Sequence, residues 1–260
     1  MDKIRPFNYP CMIRIGSNND GGYVVPEPSD FPISNLFSFG FGYNADFELE
    51  ALSKIKVKCV YLYDYSITSM FSTLIIDLKH FLKNYFRSYS FGSIGNYFKF
   101  SRTFLILKLH RNIHYRSYKL TGISGKENEI DVKYLGKEIG FSESIIKMDV
   151  EGSEFDVLNM ENFQYIQSAQ IIIVEFHDCV RRELAFYHIL DLFESNFYIV
   201  NTHINNFGKI SQGGIPDVIE LTFLNRKVAP ANLKLVKKIP NDLDRPNDPT
   251  KAEIDHIFLN

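Results

Sequence analysis

"SIIKMDVEGSEFDVL", Ser144 to Leu158, runs from an apolar stretch through a glycine turn into a segment with helical spacing. Asp149 stands at the close of the apolar run, and Glu151 and Glu154 follow around Gly152 and Ser153. A run without polar alternation is the pattern of a strand covered on both faces. Similar runs recur as "NLFSFG" (35–40), "KCVYLYD" (58–64), "YKLTGIS" (118–124), "AQIIIVEF" (169–176), "FYIVNTH" (197–203) and "VIELTFL" (218–224). Amphipathic segments of helical length lie between most of them, at 46–55, 153–163 and 181–196. Strand and helix in alternation predict an α/β fold: a doubly wound, seven-stranded, mostly parallel sheet. The last two runs are joined by "INNFGKISQGGIPD" with no helical segment, so the sheet is expected to close in an antiparallel hairpin.

The 260 residues suit one domain spanning 1–260, with material for a sizeable core. Residues 1–34 contain "RIGSNNDGGYVVPEP", rich in Gly, Asn and Pro, and read as a cap or lid with one short strand. Residues 66–117 read as a helical insertion, because the second and third predicted strands stand about twice the usual crossover apart. From Lys79 to Lys119 nine Lys or Arg occur with no Asp or Glu. Residues 228–260 read as an irregular C-terminal arm ending in a short helix. A net charge of -2 argues against a generic nucleic-acid binder. Cys11, Cys59 and Cys179 have neither disulfide-framework nor metal-ligand spacing, which fits a reducing compartment. No run is long enough to cross a bilayer, and the expected location is cytoplasmic.

"FSFGFGYNADFELE" follows the first predicted strand and opens a helix, with Gly40, Gly42 and Ala45 in G-x-G-x-x-A spacing. Glycines there let backbone approach a ligand closely. Asp64 closes the next strand, where a carboxylate can accept from the hydroxyls of an adenosine ribose. Nicotinamide enzymes place a pyrophosphate at this helix N-terminus. Asp46 and Glu48 would repel it, yet tolerate a cationic sulfonium with an amino-acid tail. S-adenosylmethionine is therefore the expected cofactor. The lid stretch adds Arg14, able to meet a carboxylate bidentately, with Gly16, Asp20 and Gly21 over the methionine end. Ser124, at the end of the third predicted strand, completes the cofactor side.

These blocks, "RIGSNNDGGYVV" (14–25), "FSFGFGYNADFELE" (37–50), "KMDVEGSEFDVL" (147–158), "VEFHD" (174–178) and "THINNFG…IPDVIELTFLN" (202–225), resemble the FkbM-type S-adenosylmethionine-dependent methyltransferases. The resemblance leaves out the basic insertion and the C-terminal arm. It implies a class I methyltransferase-like fold and hydroxyl acceptors, often on sugars of natural products or surface polysaccharides such as capsule. The expected partner is a small-molecule sugar or sugar nucleotide, not a nucleic acid.

On the acceptor side, ligands of parallel sheets sit beyond the carboxyl ends of the strands. Asp149 ends the fourth strand there, Glu175 and His177 end the fifth at a period of two, and His203 follows the sixth. Asp149, His177 and His203 are the catalytic candidates, with either imidazole as a general base. Asp149, Glu175 and His203 are the candidate ligands for Mg²⁺ or Mn²⁺, which would stabilise a developing alkoxide. Glu151, Glu154 and Ser153 have the plainer use of satisfying helix amides. The basic insertion could clamp a sugar-nucleotide diphosphate or form a subunit contact, and contact with a membrane surface is less favoured. The apolar face at 71–86 asks for burial against a second copy, so a homo-oligomer is expected. Two rivals stay open: a nicotinamide-dependent sugar oxidoreductase, with Tyr115 and Lys119 as its only suited pair, and a non-catalytic binder on the same fold.

Overall fold

The computed structural model describes residues 1–42, 44–66 and 110–259. The apolar face at 71–86 and most of the basic insertion lie outside the described residues. The central sheet has seven strands: β3 (Asn35–Phe39), β4 (Cys59–Tyr63), β5 (Ile113–Arg116), β8 (Ser144–Met148), β9 (Ile171–Phe176), β10 (Phe197–Ile204) and β11 (Ile219–Asn225). They lie in the order β10-β11-β9-β8-β3-β4-β5. The β3/β4, β3/β8, β4/β5 and β8/β9 ladders are parallel. β11 runs antiparallel to both β9 and β10, slotted between them. A last strand inserted in reverse between the fifth and sixth is the class I methyltransferase topology.

The all-apolar runs form their strands because both faces are covered. β8 and β9 are buried at every residue. Side chains alternate between two cores by the period of two. Leu36, Val60, Leu62, Ile145, Ile171 and Ile173 enter one, while Phe37, Phe39, Ile146, Met148, Ile172 and Val174 enter the other. Each such side chain stabilises the fold by roughly 1.5–3 kcal/mol, and truncating Ile172 to Ala would cost about 2–5 kcal/mol. On the second face α5 (Glu183–Glu194) buries Phe186, Ile189, Leu190 and Phe193, spaced i, i+3, i+4 and i+7. The other described α-helices are α1 (Asp46–Glu50), α2 (Val132–Glu138), α3 (Glu154–Val157) and α4 (Met160–Ile166).

Four local expectations change. The third strand is Ile113–Arg116, not 118–124. Its pattern of one buried residue followed by exposed and half-buried ones marks an edge strand, which carries no continuous apolar run. Of 118–124 only Lys119–Leu120 (β6) pairs, parallel to Glu129–Ile130 (β7). The segment 153–163 is two helices, because the Asn159 side chain accepts the amide of Asn162 at 2.9 Å and starts α4 afresh. The N-terminal stretch holds a full hairpin, β1 (Met12–Gly16) with β2 (Gly22–Pro26). Gly16 closes that hairpin at φ +94, where a Cβ would stand 2.3 Å from the Gly21 carbonyl oxygen.

The arm, finally, ends in a two-residue ladder, Lys238–Ile239 (β12) with His256–Ile257 (β13), and not in a helix. It is fastened across the β10–β11 hairpin. Asn201 donates to Asp244 at 3.1 Å, Asn247 to Glu220 at 2.7 Å, and Asn206 to the Asp248 carbonyl at 3.0 Å. Among the described residues no helix is long and apolar enough to cross a membrane.

Candidate active site

A cleft of about 820 Å³ opens at the carboxyl ends of β3, β4 and β8. Its walls are the hairpin loop Ser17–Gly21, the glycine turn Gly40–Gly42, the stretch Asp64–Ser66, the strip Tyr118–Leu120, and Lys147 with Asp149–Glu151. The volume lies within the range of small-molecule sites, ~300–1,000 Å³.

The glycine turn is shaped by its neighbours. Gly40 has φ +72, and a Cβ there would stand 1.8 Å from the Asp149 carbonyl oxygen. Only glycine lets β3 and β8 approach so closely at the cleft floor. At Gly42, with φ +56, no described atom lies within 4 Å of where a Cβ would stand, so the Cα side of the turn is open to a ligand although its amide is held by Asp64. Asp64 anchors the turn: one carboxylate oxygen accepts the amides of Phe41 at 3.1 Å and Gly42 at 3.0 Å. The other accepts the Ser66 amide at 2.8 Å and hydroxyl at 2.5 Å. Those four bonds match a carboxylate's acceptor capacity. Cleft size, the side-chain-free surface of the glycine turn and the lining tyrosines therefore fit a nucleoside cofactor, while Asp64 is committed to the turn itself.

The other cofactor-side candidates divide. Asp20 and Gly21 line the cleft. Gly16 donates its amide to Glu50 at 3.0 Å. Arg14 braces the loop, donating to the Ser17 carbonyl at 3.1 Å and the Asn19 carbonyl at 2.9 Å, and does not line the cleft. Ser124 is turned to Asp131, the N-cap of α2, and also lies away from the cleft. Glu48 is fully buried, its Oε1 taking the Ser38 hydroxyl at 2.6 Å and its Oε2 without a partner.

On the acceptor side the structure brings Asp149, Glu175 and His177 together. The Tyr23 hydroxyl, from β2, lies 3.3 Å from Asp149 Oδ2 and 3.4 Å from Glu175 Oε2. Burial pushes the Asp149 carboxyl up to about 6, against the pull of Lys147 and His177. Burial, then the charges of Asp149 and Glu220, raise Glu175 well above the usual carboxylate range, while His177 pulls it down. His177 Nδ1 meets Glu154 Oε1 at 3.1 Å. Its Nε2 faces Glu151 at 3.7 Å, Glu175 at 3.8 Å and Asp149 at 4.0 Å. Burial alone would lower this imidazolium. The Glu154 hydrogen bond and the charges of Glu175, Glu154 and Asp149 outweigh burial and carry it up to about 9. Two non-glycine residues here, Glu151 at φ +54 and Asp178 at φ +59, occupy left-handed backbone, a strain that clusters at functional sites.

His203 is not part of this group. It is 1% exposed, with Nδ1 on Glu220 at 2.9 Å and Nε2 on Glu253 at 3.0 Å. Burial opposes its charge, but Glu220 and Glu253 push the imidazolium up to about 11. His203 thus has both ring nitrogens occupied, and the charges around His177 favour its imidazolium. The ligand set Asp149, Glu175 and His203 is not assembled either. Among the described residues, the donor atoms that lie within 4.8 Å of one another belong to Asp149, Glu151 and His177. Tyr115 and Lys119 also go separate ways, the first to the Asp64 carbonyl at 3.0 Å and the second over the Tyr65 ring.

Sequence reasoning passed over Lys147, Tyr23 and the depth of Glu154. Lys147 carried a signal, since it lies two residues before Asp149 on one strand and so shares its face.

The chain matches the family described as "Methyltransferase FkbM domain" over residues 69–200, half of its length. The match takes in the basic segment that the resembling blocks left out, and stops short of the lid and glycine-turn blocks. No curated protein matches the chain. Among solved structures, spermidine synthase from Thermotoga maritima has a TM-score of 0.42 at 11% identity, covering 87% of this chain and 75% of that one. The Methanococcus jannaschii fibrillarin pre-rRNA processing protein has 0.40 at 13%, covering 81% of each. Precorrin-6y C5,15-methyltransferase from Geobacter metallireducens has 0.36 at 10%, covering 74% and 80%.

Proposed function

The chain belongs to the FkbM methyltransferase family, and from that premise we propose that it is an O-methyltransferase acting on a carbohydrate hydroxyl, in a sugar nucleotide or surface-polysaccharide precursor. S-adenosylmethionine, when bound, supplies an electrophilic methyl group on a sulfonium that departs as a neutral thioether. The turn Gly40–Gly42, the loop Ser17–Gly21, Tyr65 and Tyr118 are the residues that would hold it. A direct bond from ribose to Asp64 would require Ser66 to release one of its own.

The observation that carries the reading is the place of the Asp149 carboxyl in the cleft lining, beside Lys147, His177 and the Tyr23 hydroxyl, where burial also pushes it up to about 6. An aliphatic hydroxyl becomes a good nucleophile only as its proton leaves. A carboxylate made more basic by burial, yet still ionised at neutral pH, suits that task. The proton passes from the acceptor oxygen to Asp149 and from there to solvent. Lys147 and the His177 imidazolium keep Asp149 ionised between turnovers, and the Tyr23 hydroxyl holds it in place. Orientation of the acceptor supplies much of the remaining acceleration. The carboxylates at the rim, Asp20, Asp149 and Glu151, are acceptors suited to the hydroxyls of a sugar. The carbohydrate class itself rests on the family resemblance.

A divalent-ion-assisted variant is favoured by one observation, the convergence of Asp149, Glu151 and His177. Glu154 would orient the imidazole from behind, as carboxylates do for metal-bound histidines.

Calorimetry with S-adenosylhomocysteine and NAD, followed by mass spectrometry of sugar nucleotides incubated with S-adenosylmethionine, tests the reading. Binding of the homocysteine and a product heavier by one methylene are expected. Binding of NAD alone would replace this function with the oxidoreductase. Activity that survives exhaustive chelation would leave the ion out.

A further inference from the structure

Lys147 is a lysine in the middle of a central parallel strand, 3% exposed. Burying an ammonium costs several kcal/mol unless its donors are met. Its Nζ donates to the Gly40 carbonyl at 2.7 Å. The Asp149 Oδ2 atom stands at 3.7 Å, a charge neighbour beyond hydrogen-bond reach. The Tyr23 ring lies 5.2 Å away and accepts no conventional bond. Glu48 contributes its field, but its Oε1 is bonded to Ser38 and its Oε2 has no partner. An ammonium has three donors, so two of those on Lys147 have no acceptor among the described residues.

That ammonium lines the cleft between the glycine turn and the hairpin loop. The other cation along the described lining is Lys119, which sits over the Tyr65 ring at 5.8 Å. The remaining charged groups of the lining, Asp20, Asp64, Asp149 and Glu151, are carboxylates and would repel an anion. Arg14, the residue the sequence offers for a carboxylate, holds two loop carbonyls through Nη2; its Nε and Nη1 are without partners among the described residues but buried, and the residue does not line the cleft.

We propose that Lys147 is the anchor for the α-carboxylate of the cofactor's amino-acid end, which supplies the acceptors that its two unmet donors lack. This rests on the reading of the cleft as an S-adenosylmethionine site. The same lysine then ties the cofactor to the base, because it neighbours Asp149 on the strand face.

Calorimetry on the full-length protein with three probes tests the proposal: S-adenosylhomocysteine, its decarboxylated analogue, and 5′-methylthioadenosine, which lacks the whole amino acid. On the native chain, loss of the carboxylate alone should weaken binding roughly 10- to 100-fold, the worth of one or two charge-assisted bonds. Lys147→Met should weaken S-adenosylhomocysteine by a similar factor and leave methylthioadenosine within about three-fold, with Lys147→Arg in between. Equal native affinity for the carboxylated and decarboxylated ligands overturns the proposal without recourse to any variant. So does a Lys147→Met protein that loses all three probes equally, which would make the lysine a structural partner of Gly40. A native chain that binds none of the three refutes the cofactor reading itself, an outcome distinct from the other two.

Discussion

His177 and His203 stand at the ends of neighbouring parts of one sheet, and each is boxed by glutamates, yet only one is open. His203 has both ring nitrogens bonded, to Glu220 and Glu253, under the C-terminal arm. His177 uses Nδ1 on Glu154 and presents Nε2 to Glu151, Glu175 and Asp149 at 3.7–4.0 Å, at a rim that is 18% exposed. The first ring is a buried fastener, and the second is a charge placed beside a base. Local chemistry is nearly the same at the two positions. What separates them is the arm, which supplies Glu253 to one ring and nothing to the other.

The sharpest way to break this contrast is at the base. Asp149→Asn should lower turnover on the natural acceptor by about 10²–10⁴-fold without weakening S-adenosylhomocysteine binding. Unchanged turnover would move the chemistry elsewhere. Next in size, His203→Gln should cost ~3–5 kcal/mol in urea unfolding, because Glu220 and Glu253 would lose a buried cation. His177→Gln, whose amide can still donate to Glu154, should cost roughly 1 kcal/mol. Equal losses would erase the distinction between fastener and site.

Stability should also track the closed ring's titration. The His203 pKa is raised in the fold to about 11, against an unfolded value of ~6.5. Its contribution is therefore complete below pH ~6.5 and drains away as pH rises toward 11. Glu220 from β11, and Glu253 and Asp244 from the arm, are the charges that face it. Unfolding curves from pH 6 to 10 should show the native protein losing stability faster than His203→Gln, and parallel curves would contradict this. The smallest effect concerns a bond from arm to cleft loop, Asn19 to the Pro246 carbonyl at 2.9 Å. Asn19→Ala should cost ~1 kcal/mol and weaken S-adenosylhomocysteine binding a few-fold. An unaltered affinity would mean the arm does not steady the loop.

Much of the frame was legible. The runs at 35–40, 144–150 and 169–176 announce their strands because burial on both faces demands unbroken apolar sequence. "IHYR" did not announce β5, since an edge strand has one wet face and alternates too briefly to be recognised. Asp149, Glu175 and His177 could be placed at one rim from strand ends and a period of two. Lys147 could be put on the same face by the same period, but its environment could not be read. Which donors of its ammonium are met depends on the fold, which buries it beneath the glycine turn. Asp64 was legible as a strand-ending acid, but its four bonds to the turn depend on how tightly that turn wraps.

By itself, the sequence determined most strands of the central sheet, which acids end them, and that a glycine turn faces those acids, because these follow from local pattern and the alternation of side chains along a strand. Tertiary structure decided which groups remain available. Whether a ring nitrogen or an ammonium is free depends on partners far along the chain, Glu253 for His203 and Gly40 for Lys147. Closure of the chain around a site sets burial and hydrogen bonding there, and no local spacing encodes that closure.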